Sequence, residues 1–84
     1  YLMEWLKVNN HLEIKLKFKD FIQAFAFMTE VALHAEKMNH HPTWTNIYNF
    51  VEIHLSTHDA GDIVTEKDLA LASKIIAIYE KYAT

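Results

Sequence analysis

Alternating apolar and polar residues mark two stretches of this chain, and each predicts a β-strand with one buried face and one wet face. Over residues 11–18 the even positions are apolar and the odd positions are polar. Residues 51–56 repeat the alternation, within a strand predicted at 50–57. Shorter runs at 3–8 and 44–48 predict two further strands.

Apolar residues at helical spacing predict helices at residues 20–39 and 65–82. Asp20 can cap the first helix or lie in its first turn. The segment Thr65-Glu66-Lys67-Asp68 is close to a capping box, so Asp68 is interpreted first as a capping carboxylate. The order β-β-α-β-β-α predicts an α+β fold, with a four-stranded antiparallel sheet and both helices packed on one face.

The first hairpin leaves two registers open. Asn9-Asn10 is a plausible tight turn, because asparagine tolerates positive φ. A two-residue turn places Trp5 on the same face as Ile14, whereas a three-residue loop places Leu6 and Val8 there instead.

Length and composition limit the classes of protein to consider. The 84 residues are enough for a single domain, covering 1–84. The chain has no cysteine, which fits a reducing compartment, so we expect a cytoplasmic protein, or also a nuclear one in a eukaryote. Its longest clean apolar run, Ala24–Met28, is too short to span a membrane. Eight lysines, no arginine and a formal charge of −3 argue against direct binding to nucleic acid.

The helix at 20–39 has an unusually wide apolar arc, since its polar residues fall in one narrow stripe. The sheet can cover only one side of that arc. We therefore predict a homodimer or homotetramer that uses this helix.

Two polar segments each follow a predicted element, and we interpret them as two walls of one site. His40-His41-Pro42 follows the first helix, and Ser56-Thr57-His58-Asp59 ends the fourth strand. Loops next to regular structure often carry functional residues. Imidazole, with an unperturbed pKa of about 6.5, suits proton transfer near neutral pH. The remaining histidines, His11, His34 and His54, are interpreted as ordinary residues of polar faces.

Three chemistries can use these residues. His40, His41, His58 and Asp59 supply zinc-ligand types, but adjacent histidines in an extended segment point to opposite faces. Ser56 lacks the glycine-rich elbow of a serine nucleophile. General acid–base catalysis demands the least, because it needs only two imidazoles on different walls and donors that hold a ligand.

Glu36 falls on the apolar arc of the helix, near its negatively polarised end, so it needs a compensating partner unless the last turn frays and leaves it in water. We predict that it lies on the buried side of the helix and pairs with a site histidine or with a donor of the following turn. Its role is then to orient that turn. Trp44 can belong to the core or form a wall for an aromatic substrate.

Three segments together resemble the pterin-4a-carbinolamine dehydratase family. They are residues 18–28, residues 35–44 and residues 55–59. The most specific part combines Glu-Lys-x-x-His-His-Pro-x-Trp with Thr-His-Asp. Family members usually carry a further helix before the first strand, and this sequence does not show one.

The resemblance implies dehydration of 4a-hydroxytetrahydropterin to quinonoid dihydropterin, a step of tetrahydrobiopterin recycling, without a metal or organic cofactor. It implies His40 and His58 as an acid–base pair, with His41 positioning the pterin. The implied substrate contacts are Asn39, Ser56, Thr57 and Asp59. The residues expected to support the site are Glu36, Pro42, Trp44 and Asp68. The family also includes a dimerisation cofactor of a homeodomain transcription factor. An alternative function is therefore a protein-binding module that acts through helix 20–39.

Overall fold

The computed structural model describes residues 4–82 and shows one antiparallel sheet with two helices. The sheet order is β1-β2-β4-β3, so the two hairpins pair through their second strands. The strands are β1 Leu6–Val8, β2 His11–Lys17, β3 Thr43–Ile47 and β4 Phe50–Leu55, and the helices are α1 Phe21–Met38 and α2 Glu66–Tyr79. A short 3-10 helix, His58–Ala60, lies between β4 and α2. The predicted α+β class, strand pairing and element order are confirmed.

The first hairpin adopts the two-residue turn. Val8 pairs with His11, and Asn9 and Asn10 both have positive φ, at 51° and 66°. This register turns Trp5 toward the core, where its indole Nε1 donates to the carbonyl oxygen of Ala72 at 3.2 Å. The three-residue alternative would have buried Leu6 and Val8, and both are exposed.

One face of the sheet carries the core. The inward residues of β2 and β4 are buried against α1 and α2. Phe18, Phe27 and Tyr79 form an aromatic cluster at one end of this core, and the Tyr79 hydroxyl donates to the carbonyl oxygen of Lys17 at 3.0 Å. At the other end of the core, the buried residues Leu55 and Ala35 lie near the ends of β4 and α1, from which the polar segments begin.

Several predicted boundaries need correction. Residues 4 and 5 are described but lie outside β1, and the predicted strand start at Met3 lies outside the described residues. Strand β4 ends at Leu55, and Thr57 instead forms an isolated bridge with Ile63. Helix α2 ends at Tyr79 and not at 82, because turn hydrogen bonds replace the helical ones after Glu80.

The side of α1 that faces away from the sheet is uncovered. Ile22 is 76% exposed, Leu33 69% and Phe25 56%. Neither helix in residues 4–82 combines the length and the hydropathy needed to cross a membrane.

Candidate active site

The end of α1 aims His40 inward. Asn39 follows the helix with φ 54° and ψ 42°, a left-handed conformation that asparagine tolerates better than most residues. Its N–H donates to the carbonyl oxygen of Glu36, and the N–H of His40 donates to that of Ala35, both at 3.0 Å. These two bonds form a Schellman-type end, which reverses the chain and buries the His40 side chain.

His40 is held by a buried carboxylate. Its Nε2 lies 2.6 Å from Oδ1 of Asp68, a fully buried residue in the first turn of α2. An ionised carboxylate can only accept, so Nε2 carries the proton and Nδ1 is left for other chemistry. The hydroxyl of Thr57 donates to Oδ2 of the same carboxylate at 2.7 Å. The Thr65 hydroxyl in turn contacts that of Thr57, which completes the network.

The environment of Asp68 favours its charged form. Burial on its own would raise the pKa of this carboxyl, but hydrogen bonds from His40, the backbone N–H of Thr65 and Thr57 outweigh burial and lower the pKa below its ordinary value. The site therefore contains a buried negative charge that is fully hydrogen-bonded.

Asp68 also caps α2, as the sequence pattern predicted. Its Oδ2 accepts the backbone N–H of Thr65 at 2.8 Å, so the carboxylate serves the helix end and His40 at once. The interpretation of Asp68 as a capping residue was correct, but it missed the contact with His40. That contact joins residues 28 positions apart, so no local sequence pattern indicates it.

His41 points away from this network and pairs with Glu36. The distance from its Nε2 to Oε1 of Glu36 is 2.8 Å, which confirms that Glu36 contacts a histidine of the predicted site. The predicted burial of Glu36 was wrong, because its side chain is 80% exposed. The apolar arc of α1 is wider than the surface that the sheet and α2 cover, and Glu36 lies on its uncovered part.

His58 opens the 3-10 helix and is exposed. Its Nδ1 lies 3.6 Å from Oδ1 of Asp62, four residues later. Sequence reasoning missed this partner, although the spacing of four could have indicated it. His58 is thus exposed to solvent, in contrast to the buried His40.

A cavity of about 240 Å³ joins the two polar segments. Its lining consists of Asn39, His40, His41, Ser56, Thr57, His58, Asp59 and Lys67. The structure therefore brings together every residue predicted to contact a ligand, and it adds Lys67. The sequence could have indicated Lys67 as a site residue, because a lysine in the first turn of a helix is electrostatically disfavoured and so suggests another role.

The four residues predicted as supporting lie outside that lining. Asp68 contacts His40, and Glu36 contacts His41. Trp44 lies on β3 and packs against the core, so its core interpretation is the one the structure favours. Pro42 is half-buried between His41 and the start of β3.

A cluster of side chains that can ligate metals lies outside the histidine-lined cavity. Glu13, Glu52 and His54 bring ligand atoms within 4.8 Å of one another on the sheet face opposite the helices. His54 is also within 2.6 Å of Glu52, so it has carboxylate partners of its own, away from the cavity. The expectation that the histidine site uses no metal stays a prediction.

Fold and cavity together define the class: an α+β domain with a histidine-lined cavity where β4 and α1 end. The sequence profile of the family described as pterin 4 alpha carbinolamine dehydratase matches residues 1–78. The chain belongs to this family.

Individual proteins agree with that assignment. A protein of Prochlorococcus marinus (strain MIT 9515), provisionally named pterin-4-alpha-carbinolamine dehydratase, is 54% identical over 92% of this chain and 79% of its own length. A crystal structure from Brucella melitensis, described as a transcriptional coactivator/pterin dehydratase, is 47% identical with a TM-score of 0.84, covering 88% of this chain and 80% of that one.

A more distant structure shares the fold alone. It is a pterin dehydratase-like protein identified as a RuBisCO assembly factor in the alpha-carboxysome. It is 22% identical with a TM-score of 0.71, covering 89% of this chain and 86% of its own.

Proposed function

We propose that this protein dehydrates 4a-hydroxytetrahydropterin to quinonoid dihydropterin, as the family name implies, and that it serves tetrahydrobiopterin recycling. The observation that carries the proposal is the cavity in which His40, held by a buried carboxylate, and His58, from a separate segment, both take part. Family membership supplies the pterin substrate, and the two imidazoles supply the proton transfers.

The reaction removes one water molecule. The C4a–oxygen bond breaks, the hydroxyl leaves as water after taking a proton, and a C4a–N5 double bond forms as N5 loses its proton. One imidazole gives the first proton as a general acid, and the other accepts the second as a general base. His40 acts through Nδ1, because its Nε2 is engaged by Asp68. His58, exposed to water, exchanges its proton between turnovers.

The remaining residues hold the substrate or the histidines. His41, fixed by Glu36, positions the pterin ring, and Asn39, Ser56 and Asp59 contribute polar contacts along the lining. Thr57 was predicted to contact substrate, but its hydroxyl is engaged by Asp68 and Thr65. We therefore assign Thr57 to the network that holds His40.

A dehydration assay on the carbinolamine tests the proposal directly. The wild-type protein should accelerate water loss, and the variants His40→Ala and His58→Ala should do so far more slowly. Wild-type protein without measurable dehydratase activity would refute the enzyme assignment. It would leave the alternative, a module that acts on another protein such as a transcription factor.

That alternative uses the exposed face of α1, which carries Phe21, Ile22, Phe25 and Leu33. We propose that the same face joins copies of this chain into a homodimer or homotetramer, because apolar side chains so exposed are costly on a monomer. Light scattering at micromolar concentration shows whether this face binds a second copy of the chain or is left for another protein. A dimer or tetramer means that self-association covers the face, whereas a monomer leaves it exposed for a different partner.

A further inference from the structure

The outer face of the sheet carries three side chains that can ligate a metal ion. Glu13 of β2 stands opposite His54 of β4, and Glu52 lies two residues before His54 on the same face. One potential ligand atom from each side chain lies within 4.8 Å of those of the other two. None of the three lines the histidine-lined cavity, so this cluster is separate from the candidate active site.

The imidazole of His54 lies between the two carboxylates. Its Nε2 is 2.6 Å from Oε2 of Glu52, and its Nδ1 is 3.9 Å from Oε1 of Glu13. A neutral imidazole has a single N–H, so one ring nitrogen turns a lone pair toward a carboxylate oxygen, and two acceptors then face each other. A cation placed among these atoms, either a second proton on the ring or a metal ion, removes that conflict.

The protein's own cation balances the cluster only in part. Nζ of Lys15 lies 3.7 Å from Oε2 of Glu13, but the lysine side chain is more than half exposed, so solvent weakens this pair. With His54 neutral, two carboxylates against one ammonium leave a net negative charge. The Glu13 side chain is only 16% exposed, so the attraction of this charge for a cation is less screened than on an open surface.

The backbone beneath the cluster is rigid. Strands β2 and β4 are the two central strands of the sheet, and each is paired on both sides. Ligands carried by strands are held more precisely than ligands on loops. Bond lengths of about 2.1 Å place the ligand atoms of a tetrahedral zinc ion about 3.4 Å apart. The observed separations lie on both sides of that value, so rotation of the two carboxylates can close the cluster on an ion without moving either strand.

The ligand types indicate which ion suits the cluster. Zinc accepts imidazole nitrogen together with carboxylate oxygen, whereas magnesium and calcium prefer oxygen ligands alone. Copper(I) prefers sulfur ligands, which these three side chains do not offer. Three protein ligands leave a fourth position, and water can fill it on this solvent-facing side of the sheet.

We propose that Glu13, Glu52 and His54 form a binding site for a divalent cation of the zinc type on the outer face of the sheet. The ion joins β2 to β4 through their side chains. Because the three ligands come together only when these strands pair, the ion binds the folded protein and stabilises it. The proposal is independent of the dehydratase function, and its test needs no activity measurement.

The test titrates Zn²⁺ into the full chain, freed of metal with a chelator, by calorimetry near neutral pH. We expect one equivalent to bind and the Tm to rise with the zinc concentration. Glu13→Gln, Glu52→Gln and His54→Ala should each weaken binding by about 10- to 100-fold or more, since even residues that only support metal ligands contribute that much. His11→Ala is the matched control, because His11 lies on the same face of β2 outside the cluster, and it should keep the wild-type Kd.

Two results would overturn the proposal. A wild-type protein that binds no zinc would mean that the cluster is a set of side-chain ion pairs only. Binding that persists in His54→Ala but is lost in His41→Ala or His58→Ala would place the ion in the histidine-lined cavity instead. The two glutamine variants keep the size of the side chains they replace, so they should fold even if His54→Ala does not. Their metal-free Tm values, compared with that of the wild type, separate lost binding from lost folding.

Discussion

Nε2 of His40 lies 2.6 Å from Oδ1 of Asp68, and this bond joins the end of α1 to the start of α2. His40 is placed by the turn after one helix, and Asp68 by the cap of the other. The orientation of the imidazole thus depends on how the two helices are packed. Mutations that shift either helix end should change the proposed chemistry before they unfold the protein.

Asp68→Asn tests the orienting role of the carboxylate. Asparagine keeps the shape but loses the charge that fixes the His40 tautomer, so we expect turnover to fall by about 10- to 100-fold, the usual effect of losing such a partner. The pH profile of kcat should shift as well. Steady-state kinetics across pH measure both.

Thr65→Ala is a graded comparison for Asp68→Asn, because it removes the N-cap hydroxyl at the outer edge of the network and leaves the bond between Asp68 and His40 in place. It should cost about 1 kcal/mol of stability, as lost caps do. Turnover should change much less than in Asp68→Asn. Equal losses of turnover in the two variants would mean that Asp68 acts only through stability.

The proposed acid–base pair is tested by His40→Ala and His58→Ala. Each should lower turnover by about 10²- to 10⁴-fold, since each removes a positioned proton-transfer group. His11→Ala and His54→Ala are the controls, because both residues lie on the sheet and outside the cavity lining. The two-wall arrangement is wrong if the controls lose as much activity as the site variants.

Asp68 should also make stability depend on pH. The pKa of Asp68 is lowered in the folded protein. Its contribution to the free energy of unfolding is therefore fully present above the pKa of about 3.9 that an unfolded aspartate has, and it is lost as the pH falls through the pKa in the folded protein. The free-energy difference of unfolding between wild type and Asp68→Asn should therefore be largest near neutrality and shrink below about pH 4. Urea titrations at pH 7 and pH 3.5 measure this difference, and a constant difference would contradict the assignment.

The fold was predictable because its signals are local. Alternation along β2 and β4, the capping pattern at Thr65 and the asparagine turn each follow from a few adjacent residues. The partners in the site were not all predictable. The bond between His40 and Asp68 joins the turn after α1 to the first turn of α2, and helix packing sets the distance between them. The exposure of Glu36 depends on how much of α1 the sheet covers.

Self-association is tested at the uncovered face of α1. We expect the wild-type protein to be a dimer or tetramer and Phe25→Lys to shift it toward the monomer, because a charge in an apolar contact is costly. Lys37→Ala, on the polar stripe of the same helix, is the control and should leave the assembly unchanged. Light scattering over a concentration series measures the mass. A wild-type monomer at micromolar concentration would refute the proposal.

Glu36 separates substrate positioning from proton transfer. Its carboxylate accepts from Nε2 of His41 at 2.8 Å, on the exposed side of the turn. Glu36→Gln keeps the shape and a hydrogen-bonding group, so it should cost much less activity than His40→Ala. Glu36→Ala removes the partner of His41 altogether, and should raise KM more than it lowers kcat, as His41→Ala should. Stability should change little in either variant, because exposed ion pairs contribute only about 0–1 kcal/mol. If Glu36→Gln lowers kcat as far as His40→Ala, Glu36 is itself a proton-transfer group, and the division of roles between His40 and His41 fails.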